Sequence, residues 1–306
     1  MKRTLLIDWS SLQYRCLFTA YKENPFDEDF KLYRRLMFST ILDYVRQFDP
    51  GEVVVCGDGQ NPWRREIYPE YKQKRKENRD QSPVDFEKFF PIADSFWSDF
   101  KSTFGSLRFV KLNEIEADDI VATLAEKFPE RKFVVVSTDK DYVQLLKNKN
   151  FRLWNPIKKD YVESLNPTDD LTVKIICGDK SDNISGIKRG VGEKKAEKLI
   201  RENTLDDFLS ADPEAADAFL RNKKLIDMAY IPQTVKDRIL AEYDSVSSGK
   251  TDGTKLFGFA KKHVPDRLAE MTAIERIFSN LNGEDDEDST SVRVGLGAFV
   301  EESDAR

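Results

Sequence analysis

Glu52-Val53-Val54-Val55-Cys56-Gly57-Asp58-Gly59 decides how this chain is read. Three successive valines suit a strand covered on both faces, as in a parallel sheet, where no polar alternation is needed. The run stops at glycine and an aspartate follows at once. Lys132-Phe133-Val134-Val135-Val136-Ser137-Thr138-Asp139-Lys140-Asp141 repeats the arrangement later in the chain. Outward from these, residues 4–7 and 107–112 read as further strands, the first closed by Asp8 and the second followed by Glu116-Ala117-Asp118-Asp119. Between them, residues 32–48, 85–104 and 117–128 space apolar side chains three and four apart, the helical period. Phe89, Phe90, Ala93, Phe96, Trp97 and Phe100 make one such stripe, a core face. Strand–helix alternation of this kind predicts an α/β fold, with a mostly parallel central sheet flanked by helices over residues 1–165.

From about residue 167 the pattern is helical only: 169–177, 193–202, 205–210, 213–226, 232–243 and 254–263, with a loop over 245–254. Residues 166–282 are therefore expected to form a C-terminal all-helical part, and 283–306 an acidic, disordered tail. The 306-residue chain carries 49 basic and 55 acidic residues, a net charge of −6. The tail supplies that imbalance, because its eight acids meet two bases. If the body's clustered carboxylates hold cations, the remaining surface is net positive and suits an anionic polymer. No apolar run approaches the ~20 residues that span a bilayer, so no membrane partner is expected. Cys16, Cys56 and Cys177 are few, scattered and set among apolar neighbours, reading as reduced thiols of a cytoplasmic protein. A single histidine, His263, argues against a histidine-based zinc site.

Asp8, Asp58, Glu116-Ala117-Asp118-Asp119 and Asp139-Lys140-Asp141 all fall at strand ends or just beyond, where open α/β sheets bind their ligands. Crowded carboxylates repel unless a cation compensates, and hard oxygen donors favour Mg²⁺ or Mn²⁺. Asp179 and Asp182, three residues apart, add a further pair. Ser185–Ala196 then reads as a helix–hairpin–helix within 178–203. Gly190 and Gly192 allow a tight turn toward a phosphate, while Lys188, Arg189, Lys194 and Lys195 supply charge. Residues 61–82 interleave Arg64, Arg65, Lys72 and Arg75 with Trp63, Tyr68 and Tyr71, a composition that suits a flexible single strand. Because this segment directly follows Asp58, it should overhang the carboxylates.

Glu116-Ala117-Asp118-Asp119, Thr138-Asp139-Lys140-Asp141, Gly178-Asp179-x-Ser181-Asp182-Asn183-Ile184 and Tyr71-Lys72-x-x-Arg75 together resemble the structure-specific 5′ nucleases: flap endonucleases, the 5′ nuclease domain of bacterial DNA polymerase I, and the T-even phage RNase H. The resemblance implies a PIN-like core and two Mg²⁺ ions, with Mn²⁺ as a substitute. Asp8, Asp58, Glu116, Asp118 and Asp119 would serve the first ion, and Asp139, Asp141, Asp179 and Asp182 the second. It further implies Lys72 and Arg75 at the scissile phosphate with Asp118 and Asp139 as catalytic carboxylates. Tyr71 would lie against terminal bases, and the hairpin would grip duplex with a monovalent cation. Lys188-Arg189 departs from the single residue the family places before its second glycine, and the arch over 61–82 is short. The implied activity is 5′→3′ exonuclease, RNase H and flap endonuclease action on RNA–DNA hybrids and duplexes with free 5′ ends, by a monomer, during lagging-strand replication. Two other readings have a place. A haloacid-dehalogenase-type phosphatase needs an Asp-x-Asp after the first strand, where Ser10 stands, and a non-catalytic junction-binding module would have no use for the carboxylates. Val292–Val300, an apolar island in the tail, suits docking on a sliding clamp or single-strand-binding protein.

Overall fold

The computed structural model describes residues 2–246 and 249–281. Strands β1 (Thr4–Asp8), β2 (Glu52–Gly57), β3 (Arg108–Lys111), β4 (Phe133–Val136), β5 (Phe151–Asn155) and β6 (Asp160–Tyr161) form one sheet in the order β3-β2-β1-β4-β5-β6. All pairs are parallel except the last, where β6 runs antiparallel to β5. The four expected strands are present; β5 and β6 extend the sheet beyond them. Alternate side chains feed two cores. Leu5, Ile7, Val53 and Val55 face one way, and Leu6, Val54, Cys56 and Val135 the other. Cover on both faces is why the sequence shows valine runs in place of polar alternation.

Helices α1 (Trp9–Glu23) and α2 (Lys31–Phe48) follow β1, and the short α3 (Arg64–Ile67) and α4 (Lys74–Asp80) form an arch after β2. Helix α5 (Phe86–Thr103) leads into β3 and α6 (Ala117–Lys127) into β4. Next come α7 (Pro167–Cys177), α8 (Glu193–Arg201), α9 (Leu205–Ser210) and α10 (Pro213–Ile226), then α11 (Gln233–Ser245), α12 (Gly253–His263) and α13 (Met271–Ser279). These last three helices return to the sheet. Val235, Ile239 and Tyr243 of α11 join the core with Leu6 and Val54, while Phe259 of α12 and Phe278 of α13 join that of Leu5 and Ile7. Among the described residues, α7–α10 form two smaller clusters, one around Ile175 that Tyr68 and Tyr71 of the arch join and one around Ile176. Among the described residues no helix is long and apolar enough to cross a membrane. The acidic tail and its apolar island lie outside the described residues.

Strand order reverses at β1: β2 and β3 lie to one side, β4 and β5 to the other. The crevice beyond the carboxyl ends of β1 and β4 is the switch point where such sheets receive ligands.

Candidate metal centre and nucleic-acid interface

Backbone donors hold one oxygen of several strand-end carboxylates. Asp8 caps α1, its Oδ1 accepting from the Ser11 amide at 3.0 Å and its Oδ2 from the Tyr142 hydroxyl at 3.1 Å. Asp58 Oδ1 accepts from the Ala117 amide at 2.7 Å, tying the end of β2 to the start of α6. Asp118 Oδ1 accepts from the Asp119 amide at 2.8 Å. Asp139 caps the 3₁₀ turn Lys140–Lys147 by accepting from the Asp141 amide at 2.8 Å. Each bond fixes a side chain that would otherwise be repelled by its neighbours. Asp8, Asp58, Glu116, Asp118, Asp139, Asp141 and Asp179 line a single cavity of about 1170 Å³ against α7. Carboxylate oxygens of Glu116, Asp118 and Asp119 lie within 4.8 Å of one another, as do those of Asp141, Asp179 and Asp182.

The crowding shows in the protonation equilibria. Burial, with Asp58 and Asp139 adding to it, pushes Asp8 up to about 7. Burial likewise drives Asp118 well above the usual carboxylate range and raises Asp139. Burial acts on Glu116 in the same sense, but Lys72 and Arg64 overturn it and hold Glu116 below its ordinary value. Asp179 is held at about 2 against burial by Lys174 and Ser181. Protein cations thus satisfy Glu116 and Asp179, while Asp8, Asp118 and Asp139 remain short of positive charge. A centre of this kind, with carboxylate-only triads, fits a hard divalent cation.

The arch brings its own cations down to the carboxylates. Lys72 sits in left-handed backbone at φ 58°, a strained state for a lysine, and its amide is pinned to the Asp182 carbonyl at 2.9 Å. Its ammonium pairs with Glu116 and approaches Asp182 at 3.7 Å, while Arg75 pairs with Asp182 at 2.7 Å. Arg65 remains exposed on the same segment.

Two expectations need correction, those for Arg64 and Tyr71, and Asp119 gains a second role. Arg64, expected to touch nucleic acid, is 2% exposed. Its guanidinium pairs with Glu116 at 2.8 Å and Asp119 at 2.8 Å, and its Nε donates to the Leu225 carbonyl at 2.9 Å. Asp119, expected among the metal ligands, keeps a carboxylate oxygen within 4.8 Å of those of Glu116 and Asp118, yet it is fully buried and also accepts from Trp63 Nε1 at 3.0 Å and from the Glu116 amide at 3.1 Å. It anchors α6 and the arch from behind the cavity wall. Tyr71, expected against terminal bases, is buried among Ile175, Ile184 and Leu225, its hydroxyl donating to Glu116 at 3.1 Å. All three are interior groups that position Glu116.

Beside the cavity, Ile187, Val191 and Ala196 pack on Ile176 and lock the hairpin to α7. Gly190 takes φ 82° with open space where a side chain would start, and α8 begins after Gly192. Arg189, Lys194 and Lys195 are exposed there, while Lys188 pairs with Asp212. Sequence reading missed Lys174 and Tyr142, and it took Trp63 for a ring facing a single strand where the fold buries it against Asp119. Lys174 of α7 pairs with Asp141 and, at 2.8 Å, with Asp179. Its spacing four residues before Gly178 offered a faint signal; Tyr142 offered none.

A carboxylate centre at the switch point of a doubly wound sheet, spanned by a basic arch and flanked by a glycine hairpin, defines a class: nucleases of the α/β type whose carboxylates could hold metal ions. A family model, the 5′-3′ exonuclease N-terminal resolvase-like domain, matches residues 3–176. The chain belongs to this 5′-3′ exonuclease family. It is 30% identical over 214 residues to a 5′-3′ exonuclease of Mycoplasmopsis pulmonis, covering 65% of this chain and 66% of that protein, just under two thirds of its length. It is 28% identical over 268 residues to the ribonuclease H of Enterobacteria phage T4, covering 78% of this chain and 86% of the relative. A crystal structure of the bacteriophage T5 flap endonuclease with DNA and metal ions superposes with a TM-score of 0.65 at 20% identity, over 80% of this chain and 99% of that one; this is a likeness of fold.

Proposed function

We propose that the chain is a Mg²⁺-dependent 5′→3′ nuclease that removes RNA primers and adjoining DNA from 5′ ends during lagging-strand replication and also cuts 5′ flaps. One observation carries the reading: the cavity that gathers the strand-end carboxylates is the one into which the arch delivers Lys72 and Arg75. Two Mg²⁺ ions, or Mn²⁺ in their place, would be held by Asp8, Asp58, Glu116 and Asp118 on one side and Asp139, Asp141, Asp179 and Asp182 on the other. When bound, such ions acidify water and offset charge on the leaving oxygen.

The chain's own residues do the rest. Lys72 and Arg75 place positive charge where a phosphodiester entering the cavity gains negative charge, an electrostatic effect worth several kcal/mol in comparable sites. Exposed Arg189, Lys194 and Lys195, with the open backbone at Gly190 and Gly192, bind the duplex phosphates without reading sequence. A monovalent cation at the hairpin carbonyls belongs to the same reading. Arg64, Asp119 and Tyr71 keep Glu116 and the arch in register. The test is release of 5′-labelled product from an RNA–DNA hybrid, a nicked duplex and a flap, with Mg²⁺ and with EDTA. Asp118→Asn and Asp139→Asn should each abolish release while substrate binding persists. Full activity in EDTA, or in either variant, contradicts the reading.

A further inference from the structure

The clustered carboxylates fall into two sets, and the chain treats them differently. Asp8, Asp58 and Asp118 are held by backbone amides and the Tyr142 hydroxyl, all neutral donors. Asp141, Asp179 and Asp182, whose oxygens lie within 4.8 Å of one another, each pair with a cation of the chain itself. Arg75 takes Asp182 at 2.7 Å. A single ammonium, that of Lys174, takes both Asp141 and Asp179, the latter through Oδ2 at 2.8 Å. The other oxygen of Asp179 already accepts from the Ser181 amide at 2.8 Å and the Ser181 hydroxyl at 2.6 Å. A divalent ion held by Asp141 and Asp179 therefore competes with Lys174 for the same carboxylates.

A plain structural tie between α7 and the 3₁₀ turn would need no second place for the ammonium to go. Lys174 has one. It is half-buried on the cavity wall, and its four-carbon stem swings freely, unlike the planar fork of an arginine. Asp170 stands one turn earlier on α7, the spacing at which an acid and a lysine pair on a helix surface, and lines the same cavity. Glu193 and Glu197 of α8 line it too. An ammonium driven from Asp141 and Asp179 thus stays among acids, which keeps the cost of moving it low.

We propose that Lys174 is a built-in competitor of the metal ion on its side of the centre. Its ammonium holds Asp141 and Asp179 until a divalent cation displaces it, which weakens that ion's binding and leaves the ion at Asp8, Asp58 and Asp118 unaffected. The proposal rests on the two-ion reading above and adds to it a positioning residue that acts through the carboxylates.

Two measurements on the full chain test it, neither of which reads cleavage. Calorimetric titration with Mn²⁺, without nucleic acid, compares wild type, Lys174→Met and Lys174→Arg. Lys174→Met should tighten one of two binding steps about tenfold or more, because a cation at contact distance is gone, and leave the other within about twofold. Where wild type shows one step, Lys174→Met should add a second. Lys174→Arg keeps the charge and should behave as wild type. The second measurement is a crystal of wild type soaked in Mn²⁺. With an ion between Asp141 and Asp179, the Lys174 ammonium should stand beyond about 4 Å from both, outside ion-pair range. Steps that stay put, weaken or tighten equally in Lys174→Met overturn the proposal, as does an ion bound there with Lys174 still paired to both acids. If Lys174→Met fails to fold, the crystal decides alone. Wild type and Lys174→Met that both take up no Mn²⁺ contradict the two-ion reading itself, and the proposal falls with it.

Discussion

Arg64 shows what a single side chain can conceal. In the sequence it stands beside Arg65 in a basic run and reads as a phosphate contact; in the fold it is buried against Glu116 and Asp119. Its acidic partners lie 52 and 55 residues away, so no local pattern announces the pairing. Removing one member of a buried ion pair leaves the other charge uncompensated, and Arg64→Met should cost about 3–5 kcal/mol, read by urea unfolding. A loss no larger than that of Arg65→Met would place Arg64 at the surface. His263 yields a pH prediction. Its Nε2 meets Asp99 at 2.7 Å while Nδ1 is buried without a partner, so the neutral ring fits and a second proton does not. Burial lowers its pKa below 6.5 despite Asp99. The unfolded chain then binds a proton that the native one refuses. Stability from this residue is therefore present above pH 6.5 and is lost as pH falls from there through the native pKa. An NMR titration should find His263 below 6.5; a higher value contradicts the neutral assignment.

At the scale of elements, the loops after the strands set the carboxylates. A Cβ at Gly59 would fall 1.8 Å from the Leu112 carbonyl oxygen, so only glycine lets the turn behind Asp58 pass the loop after β3. Gly59→Ala should destabilise by about 1–3 kcal/mol through overpacking and lower cleavage further by displacing Asp58. Calorimetry and turnover on the same sample separate the two effects. At the hairpin, Lys194→Ala and Lys195→Ala should each reduce the salt slope of duplex binding by about one, as expected for phosphate contacts. An unchanged slope would place duplex elsewhere. Strands β1–β4, and most helices from α2 onward, were legible because valine runs and three-to-four spacing are local signals. Strand β5 was not, since Phe151-Arg152-Leu153-Trp154-Asn155 carries no β-branched residue. Helix α4 buries no side chain at all, so it offers no apolar period to read. The carboxylates were legible because strand ends mark the crevice. Their interior supports Trp63 and Tyr142 depend on tertiary contacts that no spacing encodes, and Lys174 gave only its place one turn before Gly178.

For the whole molecule, the C-terminal helices are part of the body that carries the site. Phe259 of α12 packs tilted or edge-on against Phe38, Phe96, Phe100 and Phe104 beneath the sheet. Phe259→Ala should cost about 3–5 kcal/mol in one cooperative transition, although it lies far from the carboxylates. A separate unfolding step for residues 253–281 in that variant would argue for an independent C-terminal unit. The account as a whole rests on carboxylates from distant parts of the chain sharing one crevice because divalent ions reconcile them. Anomalous diffraction from a crystal soaked in Mn²⁺ tests this most directly. The expected result is manganese signal among the carboxylates of Asp8, Asp58 and Asp118 and among those of Asp139, Asp141 and Asp179; a well-ordered crystal with these side chains in place and no signal between them would contradict it.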